Sequence, residues 1–191
     1  MTIRSVKYYG EPVLRKKAKK VDNIDAHIMK ILDDMAETMY SHKGVGLAAP
    51  QVGLNLRLIV IDAGEGLIKL INPKVIHSEG IQEGAEGCLS FPGIYGDVTR
   101  PKKVTIKAQN EKGVVFKMDG EDLLARAIFH EIDHLDGKLF VDIAANLREI
   151  LPLDEEEAEF ELEEEAEAEA KGMKYKEVPI SHEELKGKFL G

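Results

Sequence analysis

Two histidines four residues apart flank an acidic residue in His130-Glu131-Ile132-Asp133-His134. On a helix this spacing puts both imidazoles on one face, one turn apart, where they can ligate a single divalent ion. Glu131 can then reach a metal-bound water as general base. A catalytic ion usually takes three protein ligands and leaves a position for water, so a third donor is needed. Downstream the only histidine is His182, and the intervening acids crowd into one run. Upstream lies the single cysteine, Cys88, in Glu86-Gly87-Cys88-Leu89-Ser90. Its glycine permits close backbone approach, and a nearby dication would hold the sulfur as thiolate. A third segment, Gly44-Val45-Gly46-Leu47-Ala48-Ala49-Pro50-Gln51, lacks the lysine and spacing of a phosphate loop. Its small residues suit a backbone passing near a ligand, and the Gln51 amide could stabilise an oxyanion.

Positioning these groups requires a frame. Ile24, Ile28, Ile31, Leu32, Met35 and Met39 recur at helical spacing, with Asp22 or Asn23 as candidate cap and the methionines as core. Beyond Gly44 the period shortens: Leu56, Leu58 and Val60, then Ile68 to Ile71 running into Asn72-Pro73, read as short strands. Val98 to Gln109, a turn at Asn110 to Gly113 and Val114 to Met118 predict a hairpin. The helix bearing both histidines should run from Asp122 to Leu135, with Gly137 just past its end. The expected class is α+β: short, mostly antiparallel strands around a buried helix carrying HExxH, with an acidic C-terminal extension.

The chain has 191 residues and 43% hydrophobic side chains, enough for one main core and too few for two full-sized domains. Its net charge of −9 is local. Residues 154–170 hold eleven acidic side chains and no basic one, leaving 24 acidic against 26 basic elsewhere. Bulk positive charge for duplex DNA is thus absent. The single cysteine rules out an intramolecular disulfide, which fits a reducing cytoplasm. The N-terminal residues show no signal peptide, and no apolar stretch approaches the roughly 20 residues of a membrane span. A soluble, cytoplasmic protein is expected. Its expected divisions are a catalytic domain over 1–153, a helical or disordered acidic segment over 154–171, and a tail over 172–191 to which the pattern assigns no fold. The catalytic domain is expected to survive truncation after Leu153.

GVGLAAPQ, EGCLS and HEIDHLDG, in that order and spacing, resemble the three signature motifs of peptide deformylases, the enzymes that remove the N-formyl group from nascent bacterial proteins. The similarity spans about residues 3 to 148. The resemblance implies a metal held by Cys88, His130 and His134 with water in the fourth position, and Glu131 as acid/base. It also implies an oxyanion site made by the Gln51 amide and the Leu89 backbone N–H. Gly46 would line the substrate groove, and Val45 and Leu123 the methionine pocket. Ferrous iron is the implied metal, with zinc, nickel or cobalt able to replace it. The implied partners are N-formyl-Met nascent peptides and, transiently, the ribosome, for a monomeric enzyme that uses neither DNA nor membrane. A family member docks on the ribosome through a basic C-terminal helix, whereas here that region is acidic; docking through it is not expected.

Overall fold

The first amphipathic stretch forms helix α1 (Ala26–Ser41), capped by neither Asp22 nor Asn23. Asp25, extended at φ −119°, accepts hydrogen bonds from the His27 and Ile28 backbone N–H groups and so satisfies the donors that open the helix. The structure, a computed structural model, describes residues 2–152 and 175–190, so the acidic segment expected at 154–171 lies outside the described residues. Among the described residues nine strands follow α1 or flank the second helix: β1 (Gly46–Ala48), β2 (Leu58–Ile61), β3 (Ile68–Glu79), β4 (Gln82–Cys88), β5 (Phe91–Arg100), β6 (Lys103–Gln109), β7 (Val115–Glu121), β8 (Ala145–Pro152) and β9 (Tyr175–Pro179). They form two antiparallel sheets, ordered β1-β2-β3-β6-β7 and β4-β5-β8-β9. The Gly44 to Gln51 segment supplies β1 and a 3₁₀ turn over Ala49–Val52. Asn72-Pro73, where the strand was expected to end, lies within β3 as a bulge. Asn72 takes φ +53°, and its carboxamide bonds both the N–H and the C=O of Val21. A chain bend is thereby held without breaking the sheet.

Helix α2 (Asp122–Leu135) lies between the sheets. Ala125, Ile128, Ile132 and Leu135, spaced three and four apart, bury against Ile59, Ile61, Leu70, Ile106 and Ala108 of the first sheet. Arg126, His130 and His134 repeat every four residues along another face, so the apolar stripe fixes where both imidazoles point. The helix stops at Gly137, φ +73°, where a Cβ would lie 2.6 Å from the Arg15 carbonyl oxygen. On the other face of the first sheet, Ile28, Ile31, Leu32, Met35 and Met39 of α1 pack on Leu58, Val60 and Ile71.

The last described residues complete the second sheet. β9 pairs with β8 from Arg148↔Pro179 to Pro152↔Tyr175, so described strands of one sheet precede and follow the acidic segment in sequence. Helix α3 (His182–Leu190) then folds back. Its Leu185, 1% exposed, enters a cluster with Leu14, Phe91, Leu139 and Phe140. The Phe189 ring lies 5.8 Å from Phe91 and 6.1 Å from Tyr9. Residues 175–190 thus belong to the body that holds the site. Among the described residues, no helix is long and apolar enough to cross a membrane.

Candidate active site

Two elements deliver three donors to one point. β4 ends on Cys88, and α2 brings His130 and His134; one donor atom from each lies within 4.8 Å of the other two. The Cys88 Sγ is 3.2 Å from His134 Nε2. His130 Nδ1 donates to Glu86 Oε2 at 2.9 Å, which fixes the tautomer and frees Nε2 for a ligand. Tetrahedral metal–sulfur and metal–nitrogen bonds put donor atoms about 3–4 Å apart, so this cluster fits a divalent cation. The buried His134 Nδ1 has no partner in the described structure. Burial lowers His130, but the adjacent Cys88 and Glu86 more than reverse this and raise it well above the ordinary imidazole value. Burial, together with repulsion from His130, holds His134 well below that value.

Behind His130 stands a buried ionic wall of Glu86, Arg100 and Arg126. Glu86 accepts from Arg100 Nε at 2.9 Å and Nη2 at 3.0 Å, and from Arg126 Nη1 at 2.9 Å. Arg100 also bridges to Asp133 at 2.5 Å. Burial would raise the Glu86 carboxyl, yet hydrogen bonds and charge from His130 and Arg100 bring it down to about 2. The same atom of Arg126 donates to the Gly84 and Val98 carbonyl oxygens, so a carboxylate and two backbone groups hold this arginine. A signal for Glu86 existed: two residues before Cys88 on a strand, it shares the cysteine's face. Nothing marked Arg100, which reaches the site only through the β4–β5 pairing.

Glu131 has the opposite environment. It is 4% exposed, and its Oε2 is buried without a partner. Burial first, then the negative charge of Glu86, raise this carboxyl to about 7, against the opposing pull of His130 and Arg100. Gly46 makes room for it, because a Cβ at that position would lie 2.5 Å from Glu131 Oε1. Gln51, 1% exposed, is oriented by its own turn: Oε1 accepts from the Ala48 N–H at 2.8 Å, and Nε2 points to Cys88 Sγ and Ser90 Oγ, each at 3.3 Å. Its donor end is therefore the one presented to the site.

A cleft of about 470 Å³ opens over these groups. Its lining includes every residue singled out from the sequence except His134: Val45, Gly46, Gln51, Cys88, Leu89, Leu123, His130 and Glu131. His134, 1% exposed, is not part of that lining. Val45 and Leu123 are exposed apolar side chains at the rim, at 39% and 52%.

Known proteins resemble this chain over most of its length. A family profile described as Polypeptide deformylase matches residues 3–149. The peptide deformylase of Thermoanaerobacter pseudethanolicus is 57% identical over 157 residues, covering 82% of this chain and 96% of that protein. That of Pelotomaculum thermopropionicum is 46% identical over 155 residues, covering 81% and 100%. Among solved structures, peptide deformylase from Thermotoga maritima superposes with a TM-score of 0.75 at 40% identity, covering 76% of this chain and 99% of that one. The actinonin complex of the Synechococcus elongatus enzyme gives 0.72 at 41% identity, covering 87% of each chain. The chain belongs to the peptide deformylase family, metal-dependent hydrolases that remove the N-formyl group from nascent polypeptides.

Proposed function

We propose that Cys88, His130 and His134 hold one divalent metal ion and that the surrounding residues hydrolyse the formyl group of an N-terminal formyl-methionine, releasing formate. The observation that carries this reading is the approach of one cysteine sulfur from β4 and two imidazoles from α2 beside a buried carboxyl that has an unpartnered oxygen and is raised to about 7. When bound, the ion supplies Lewis acidity, making water more acidic and polarising a carbonyl oxygen. Glu131 takes the proton from water as its oxygen adds to the formyl carbon. A carboxyl with this value is matched to proton transfer near neutral pH. Negative charge then develops on the formyl oxygen, where the Gln51 Nε2 and the Leu89 backbone N–H donate. One such preorganised donor is worth about 2.7–4 kcal/mol elsewhere. Glu131 returns its proton to the departing amine nitrogen as the C–N bond breaks. Gly46 keeps space for the carboxyl while lining the groove, and Val45 and Leu123 offer apolar contact to the methionine side chain.

Ferrous iron is the metal we assign, on the family resemblance; a thiolate with two imidazoles also suits zinc, nickel or cobalt. The proposed setting is the cytoplasm, with a monomer meeting nascent chains at the ribosome. Residues 1–152 would carry the chemistry and 175–190 support it. Anaerobically purified, metal-loaded protein should release formate from a formyl-Met tripeptide and leave internal peptide bonds intact. Cleavage of internal bonds without formate release would overturn the reading.

A further inference from the structure

Register on the outer face of β3, β6 and β7, the face turned away from α2, creates side-by-side rows of very different electrostatic character. Glu79↔Lys103↔Glu121 alternates in sign, and Lys103 Nζ lies 3.0 Å from Glu121 Oε1. In the next row, His77↔Thr105↔Asp119, the Thr105 hydroxyl donates to Asp119 at 2.6 Å. Then comes Lys74↔Lys107↔Lys117, three ammonium groups on directly opposed positions of three adjacent strands. All three side chains are exposed, and none has an ion-pair or hydrogen-bond partner among the described residues. Nearby lysines do have acidic partners: Lys69 lies 2.7 Å from both Asp33 and Glu111, and Lys102 lies 3.7 Å from Asp122.

Like charges directly opposite one another destabilise a sheet, whereas opposite charges stabilise it. The lysine row breaks this rule beside a row that obeys it. We propose that the row is a docking surface for the phosphate backbone of RNA. Strands about 4.8 Å apart space three ammonium groups along a line roughly 10 Å long, which suits consecutive charges on an extended polyanion better than one compact anion. The choice of RNA rests on the proposed function, because a nascent chain is available where it is being made, on a particle rich in RNA. The acidic segment joins β8 to β9 in the other sheet, so the lysine row and the like-charged repeller of RNA are attached to different layers. Net charge excludes binding by bulk attraction, and a local row does not need it.

The test uses the full-length, metal-loaded protein and a fluorescent 20-nucleotide uridylate RNA, followed by anisotropy at several salt concentrations. Wild type should bind with a log K against log salt slope near −2, the value for three lysine–phosphate contacts on a single strand at about −0.7 each. Lys107→Glu should weaken binding at least tenfold and flatten the slope. It should also raise Tm by about 2–4 °C, since it replaces two repulsions by two attractions. Hydrolysis of a free formyl-Met tripeptide should not change, so failure here is distinguishable from failure of the proposed activity. Three results would overturn the proposal: no RNA binding by wild type at 50 mM salt, equal binding by Lys107→Glu, or binding to phosphatidylglycerol vesicles without binding to RNA. An unchanged or lowered Tm in Lys107→Glu would remove its premise of strain.

Discussion

Glu86, hydrogen-bonded to His130, and Glu131, next to that histidine in sequence, are both nearly inaccessible, and their environments drive them in opposite directions. Glu86 accepts from two arginines and an imidazole and falls to about 2, while Glu131 has one oxygen with no partner and rises to about 7. Burial is common to both; compensation is not. A carboxylate whose lone pairs are all engaged is a fixed anion that orients its neighbours, whereas one left short of donors can accept and release a proton near neutrality. In the proposed mechanism the wall behind the cluster serves position and the mouth proton transfer.

The largest expected effect separates these roles. Glu131→Gln should keep the bound metal and lower kcat/KM by about 10³–10⁴-fold, near the upper range for a lost general acid–base group. Substantial turnover by metal-replete variant would move proton transfer elsewhere. Glu86→Gln strikes the wall instead. It leaves Arg100 and Arg126 buried beside a neutral amide, so denaturant unfolding should show a loss of about 3–5 kcal/mol. Because His130 also loses its carboxylate acceptor, metal affinity should fall about 10–100-fold in a chelator competition. If Glu86→Gln were as stable as wild type but as inactive as Glu131→Gln, the comparison would collapse.

Acid should dissect the wall without mutation. The Glu86 value in the folded protein lies below its ordinary 4.5, so its stabilisation is complete above about pH 4.5 and is lost as pH falls toward 2. The contribution at stake is about 3 kcal/mol, at ~1.4 kcal/mol per pH unit between 4.5 and about 2. Unfolding free energy measured across that window should fall more steeply in wild type than in Glu86→Gln. The smallest effect concerns the layer behind the wall, where Phe140 lies 5.9 Å from His130 and packs through Phe91 toward α3. Leu185→Ala should cost about 2 kcal/mol in denaturant unfolding, at the low end for a buried leucine on a short terminal helix that can settle inward. An unaltered midpoint would mean that α3 does not support the site.

The same comparison explains what could be read without the fold. Cys88, Gln51, Glu131 and both histidines were legible because short motifs carry their spacing, and α2 was legible because its apolar stripe repeats at helical period. The wall was largely illegible: Arg100 lies twelve residues beyond Cys88 and reaches Glu86 only when β5 folds back on β4. Strand ends followed the same division. Leu58 to Ile61 and the Asn110 to Gly113 turn were clear from alternation and turn residues, but β3 runs on through Asn72-Pro73 because Asn72 bonds Val21, 51 residues away. Residues 175–190 gave no periodic signal, since only Leu185 of α3 is fully buried and its partners come from residue 14 and from 91 to 147. Truncation after Leu153 would remove that leucine together with β9, so excising 154–170 alone is the cleaner way to ask what the acidic run does.

In the proposed chemistry, one thiolate and two imidazoles hold the ion at which formyl hydrolysis occurs. Titrating metal-free protein with cobalt(II) under anaerobic conditions, while recording thiolate-to-metal charge-transfer absorption and formate release from a formyl-Met peptide, tests it directly. Both signals should rise together and saturate at a one-to-one ratio, and Cys88→Ser should lose the charge-transfer band. Full activity at that ratio without a thiolate band would contradict the account.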